Sequence, residues 1–148
     1  MSDCISPGEP DVPEFRGPYF FLSNFCPAAV ELDGVMYPYL ENAFQAAKSL
    51  DPLERRRFLA CSLGNAKRLG RRVTLRPGWD ALKLDVMRNL LVVRFAAGSD
   101  LAIRLERTGD LTLIEGNRWN DTFWGVCRDR GSNWLGKLLM ERRALNRA

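Results

Sequence analysis

The sequence predicts an α+β fold: one compact, mainly helical domain carrying a small β-hairpin. Three observations predict it. A chain of 148 residues suits a single hydrophobic core. Asp33-Gly34 stands between two short β-prone runs and suits a tight turn that needs positive φ. Downstream, apolar residues recur at helical spacing, most clearly Leu82, Val86 and Leu90.

The elements follow in order. Residues 1–14 hold three prolines and two serines and read as a loose, disordered tail, leaving 15–148 as the domain. Phe20 to Phe25 is aromatic and strand-like. Ala29 to Leu32 and Val35 to Tyr37 form the two arms of the hairpin, and Pro38 ends the second. Leu40 to Leu50 is a helix, which Asp51-Pro52 stops. Leu53 to Ala60 and Asn65 to Arg71 are short basic helices. Trp79 to Ala97 is the longest helix and the expected buried centre. Gly98-Ser99 interrupts it, and Asp100 to Arg107 adds another turn or two. Leu111 to Glu115 alternates like a strand. Gly116 to Arg130 is rich in Asn, Asp, Trp and Gly and reads as a functional loop. Asn133 is placed to cap a last helix, Trp134 to Asn146.

Bulk properties exclude several classes. The chain is 46% hydrophobic and 27% charged, like a soluble globular protein. Its longest apolar runs, Leu90–Val93 and Phe95–Ala97, are far too short to cross a bilayer. No secretory signal is visible, and a reduced, cytoplasmic setting is expected. The four cysteines are scattered without a CxxC pair, and histidine is absent, so neither a metal nor another cofactor is expected. Net charge is +4 but uneven. From Arg55 to Trp79 there are eight bases, ending at Arg76, and no acid. That segment would attract phosphate on a nucleotide or a nucleic acid. A solvated helical face is the plainer reading of the charge alone.

Without histidine, proton transfer falls to carboxylates, lysine, tyrosine or cysteine. Glu41, Gln45 and Lys48 lie four and three residues apart, on one stripe of a short helix. Tyr37, Tyr39 and Phe44 can wall a pocket around Glu41, and partial desolvation would suit that carboxylate to acid–base work. The plainer reading is an exposed face of ordinary side-chain pairs. A second constellation runs from Glu115 to Gly125. Its amides can read a base or ribose edge, its indoles can stack on a heterocycle, and Asp121 can hold a ribose hydroxyl. The plainer reading there is a packed turn, with Asp121 bonding its own backbone. Gly131 to Gly136 opens a helix whose free N–H groups offer a weak anion site.

Together these motifs resemble the NADAR (YbiA-like) superfamily. The resemblance rests on Phe21-Leu22-Ser23-Asn24-Phe25 and on Asp33-Gly34 leading to Tyr37-Pro38-x-x-Glu41-x-x-Phe44-Gln45-Ala46-x-Lys48. It continues through Trp79-Asp80, Asn120-Asp121-x-x-Trp124-Gly125 and Gly131-x-Asn133-x-Leu135-Gly136, spanning nearly everything from Phe20 to Arg143. It implies an N-glycoside hydrolase with a mainly helical α+β fold. The implied substrate is ADP-ribose on guanine in nucleic acid, or else a phosphoribosylated intermediate of riboflavin synthesis. A module that binds ADP-ribose or NAD without turnover is the rival reading. Glu41, Asp121 and Lys48 are the expected catalytic residues. Asn24, Phe44, Gln45, Trp124, Gly125 and Asn133 are the expected substrate contacts, and the Arg55–Arg76 segment is the expected phosphate or nucleic-acid contact. Tyr39 and Asn42 depart from the family pattern beside Glu41 and bear on substrate choice.

Overall fold

A computed structural model describes residues 11–148. The tail expected at 1–14 lies outside the described residues through position 10. Its end is not loose. Val12 is fully buried and bridges Leu113 in parallel, its N–H bonding the Thr112 carbonyl at 2.8 Å. The domain boundary expected at residue 14 therefore falls after a residue already paired with the domain.

The fold is α+β, as the sequence predicts. The hairpin is β1 (Val30–Leu32) and β2 (Val35–Tyr37), antiparallel, with Val30 opposite Tyr37 and Leu32 opposite Val35. Asp33 and Gly34 both take positive φ, 49° and 84°, as a two-residue hairpin turn requires. The helices are α1 (Leu40–Ala46), α2 (Pro52–Arg56), α3 (Leu63–Gly70), α4 (Trp79–Arg94), α5 (Asp100–Glu106) and α6 (Trp134–Arg147). Caps set several of the starts. Asp51 accepts the Leu53 N–H ahead of α2, and Ser62 accepts the Asn65 N–H ahead of α3. Among the described residues no helix is long and apolar enough to cross a membrane.

Two strand expectations are corrected. Phe20 to Phe25 is not a strand; Gly17–Leu22 forms a 3-10 helix. Gly17 has φ 55° and Pro18 follows at the start of the helix, so the chain turns before the aromatics. Leu111 to Glu115 alternates but finds no neighbouring strand among the described residues, where it makes the isolated bridge at Leu113. The long helix is also less buried than its periodicity predicts. Met87, Leu90 and Leu91 are buried, while Val92 and Val93 are exposed.

The chain falls into two compact units. One is Asn24–Leu101. There α1 packs on α3, α4 and β1. Leu40, Ala43, Phe44, Phe58, Ala66 and Leu90 lie in its core. The other holds the described residues through Ser23 together with Ala102–Ala148. In it Arg143 reaches from α6 to Thr108 Oγ1 at 2.8 Å and to the Leu111 carbonyl at 2.9 Å, tying helix to loop.

Candidate active site

Within Asn24–Leu101, α1 is unusual for a seven-residue helix because every residue in it is buried, polar ones included. Leu40, Ala43 and Phe44 belong to the core, as a helix in this position should. Glu41, Asn42 and Gln45 are buried beside them, and Glu41 is only 6% exposed. A carboxylate so placed loses much of its hydration, so its neighbours decide what it can do. Gln45 Nε2 donates to Glu41 Oε2 at 2.7 Å, the i, i+4 contact the spacing predicts. The Glu41 N–H meets the Asn24 carbonyl at 3.3 Å. Gly70 of α3 lies so close that a Cβ there would collide with Gln45 Oε1, so a glycine holds the two helices at this distance.

Lys48 follows α1 and is half-buried. Its Nζ makes no hydrogen bond or ion pair with a described residue. Burial pushes its pKa below the ordinary 10.5. Attraction to Glu41 opposes that shift, while repulsion from Arg71, Lys83 and Lys67 adds to it. The stripe read from the sequence is therefore real in structure. It is an acid held by an amide, within electrostatic reach of an amine biased toward its neutral form.

Other expected contacts are placed differently. Phe44 is 5% exposed and packs against Trp79, ring centroids 5.3 Å apart, so it is a core residue and offers no open stacking face. Asn24 is buried, with Nδ2 3.8 Å from Met87 Sδ and Oδ1 without a partner. Asn42 donates to the Phe58 carbonyl at 2.9 Å and to the Cys61 carbonyl at 3.2 Å, so this departure from the family pattern fastens α1 to the turn after α2. In the basic segment, Arg55 binds Asp33 and the Ser49 carbonyl, and Arg76 binds the Ala47 carbonyl. Those two guanidiniums hold the fold. Arg68, Arg71 and Arg72 remain exposed.

The second constellation lies in the other unit and is built on backbone bonds. Asn117 Oδ1 accepts the Asp121 N–H, and its Nδ2 donates to the Asp121 carbonyl at 2.8 Å. Asp121 Oδ1 accepts the N–H groups of Phe123 and Trp124 at 3.1 and 2.9 Å, the Asx-turn arrangement. Trp124 is half-buried and meets Phe123 edge to face. Gly125 has no room for a side chain, since a Cβ would strike the Glu115 carbonyl oxygen.

Asn133 precedes α6 with φ 53° and makes no side-chain cap bond. It accepts the Glu115 N–H and donates to the Leu113 carbonyl, both at 2.9 Å. Capping is thus corrected to bracing. The anion site expected at this helix start is also corrected. The N–H groups of Ser132, Asn133, Trp134 and Leu135 bond the carbonyls of Thr122, Gly125, Phe123 and Trp124. No donor in that group of four is left for an anion.

These geometries sit in a recognisable lineage. The NADAR domain family matches residues 14–146, and the chain belongs to that family. It is 36% identical to the N-glycosidase YbiA of Escherichia coli (strain K12) over 129 residues, 84% of this chain and 80% of that protein. It is 34% identical to an N-glycosidase of Nostoc punctiforme, covering 83% of each chain. A riboflavin biosynthesis protein of Vibrio vulnificus is 35% identical over 81% of this chain, which spans 34% of that longer protein. The solved NMR structure of E. coli YbiA superposes with a TM-score of 0.77 at 33% identity, covering 93% of this chain and 89% of that one.

Proposed function

We propose that this chain, an N-glycosidase by its family, removes ADP-ribose from the amino group of guanine in nucleic acid, with α1 and Lys48 supplying the chemistry. The observation that carries this reading is a buried Glu41 within electrostatic reach of half-buried Lys48, amid Arg71, Lys83 and Lys67. Excess positive charge there suits a substrate that brings a pyrophosphate. The lowered pKa of Lys48 supports a nucleophilic amine over a fixed cation.

In the proposed reaction the ribose ring opens to an imine between C1 and the guanine nitrogen. The Lys48 amine adds to C1 and expels the guanine amine, leaving a lysine imine. Water then hydrolyses that imine, returning free Lys48 and ADP-ribose. One water is consumed overall: its oxygen ends on C1 and one of its protons on guanine. Glu41 moves the protons, giving one to the departing amine and taking one from the attacking water. Gln45 fixes the carboxylate for that task.

A second reading, an intermediate of riboflavin synthesis as substrate, is favoured by the name of the Vibrio relative. Both substrates join ribose C1 to nitrogen near phosphate. Purified protein given each in parallel tests the assignment. Free ADP-ribose from an ADP-ribosyl-guanosine oligonucleotide is the expected result. Turnover of the phosphoribosylated amine alone would overturn the substrate and keep the reaction type.

A further inference from the structure

In the unit formed by the described residues through Ser23 and Ala102–Ala148, a cleft of about 300 Å³ opens beside the 116–130 loop. Arg16, Arg118 and Arg128 line it, with Glu14, Asn117 and Asp129. Glu14 is engaged with Arg16 at 3.0 Å. The guanidiniums of Arg118 and Arg128 bond no described residue, and both residues are exposed. Among the described residues Asp129 is the one other acid on the wall, so the unengaged charge there is positive.

The backbone adds an independent observation. Cys127 and Arg130 exchange both N–H···O bonds, at 2.8 and 3.0 Å, which closes a two-residue turn. The turn residues are Arg128 and Asp129, with φ 53° and 63°. Such turns are ordinarily built from Asn and Gly, which tolerate positive φ. Here an arginine occupies the strained position and carries its side chain to the cleft. The turn's backbone bonds are made, while the Arg128 side chain bonds no described residue, and strain kept at such a position points to function. Trp119, adjacent to Arg118 in sequence, is 48% exposed. Asn117 spends its amide on the loop's own backbone, so it cannot read bases.

We infer that the Arg16–Arg118–Arg128 cleft, with Trp119 beside it, grips the backbone of single-stranded nucleic acid without regard to sequence. Planar guanidiniums suit phosphate oxygens, and an exposed indole stacks on any base. The inference rests on the nucleic-acid substrate proposed above and assigns that substrate a surface distinct from α1.

The test is affinity for an unmodified single-stranded oligothymidylate, measured by fluorescence anisotropy across a salt series. Arg118→Ala and Arg128→Gly should each weaken binding several-fold and lower the log–log salt slope by about 0.7. Trp119→Ala should weaken binding and leave the slope unchanged. Glycine suits φ 53°, so Arg128→Gly should melt no lower than wild type. Turnover of ADP-ribosyl-guanosine, which has no strand to grip, should be unchanged in all three. Wild-type affinity and slope in both arginine variants would overturn the inference, as would no binding by wild type. Lost strand affinity in the arginine variants, alongside no release of ADP-ribose from an ADP-ribosyl-guanosine oligonucleotide by wild type, would uphold this surface and sink the proposed substrate.

Discussion

Helix α1 and the 115–133 loop look alike in sequence, both dense in acids, amides and aromatics, yet the structure treats them in opposite ways. The loop spends its polar groups. Asn117, Asp121 and Asn133 each bond backbone, and the first N–H groups of α6 are closed by loop carbonyls. In the other unit, Asn24 Oδ1, Asn42 Oδ1 and Gln45 Oε1 are buried without a partner. Three unmatched buried acceptors in one unit, one of them on the amide that holds the Glu41 carboxylate, are costly, and such cost is tolerated where a site needs it. Satisfied polarity builds a scaffold; unsatisfied polarity marks where chemistry is proposed.

Substitutions can break that contrast. Lys48→Met should remove the nucleophile and cost turnover at least about a thousandfold. It should also stabilise the fold at neutral pH. The folded pKa of Lys48 lies below the unfolded value, so between the two the unfolded chain binds the extra proton. The cost of burying the ammonium is therefore full below the folded pKa and vanishes above 10.5. Thermal melts across pH check this: the variant's advantage should fade as pH rises through that window, and a Tm below wild type at neutral pH would contradict it. Gly125→Ala should act on the scaffold, costing about 2–3 kcal/mol in chemical denaturation because a Cβ meets the Glu115 carbonyl. A loss under about 0.5 kcal/mol would show that the loop yields. Asp121→Asn should do least. An amide oxygen still accepts the Phe123 and Trp124 N–H groups, so stability should hold within about 0.5 kcal/mol. Its turnover, measured as ADP-ribose released, should fall far less than that of Lys48→Met. An equal loss would bring Asp121 into the chemistry and end the contrast.

Much of this was legible in the sequence, for physical reasons that differ by element. Asp33-Gly34 announced its hairpin because few residue pairs accept two positive φ angles in succession. The Glu41–Gln45 contact followed from helical spacing. Phe44 misled, since an aromatic suits a stacking wall and a core equally, and only Trp79, distant in sequence, decides. Asn133 misled because its partners at Leu113 and Glu115 lie about 20 residues away, beyond the reach of capping rules. The Arg55–Arg76 charge run hid the internal bonds of Arg55 and Arg76, because a guanidinium bonds carboxylates and carbonyls as readily as phosphate.

The central claim is that a buried carboxylate on α1 does acid–base work on a ribose–nitrogen bond. Glu41→Gln tests it most directly, because it keeps the volume and a hydrogen-bonding partner for Gln45 while removing the ionisable group. The measurement is release of ADP-ribose from an ADP-ribosyl-guanosine oligonucleotide under single turnover, with the melting temperature of both proteins alongside. The account predicts an unaltered fold and a rate lower by about 10²–10⁴-fold. A folded Glu41→Gln protein that releases ADP-ribose at the wild-type rate would contradict it.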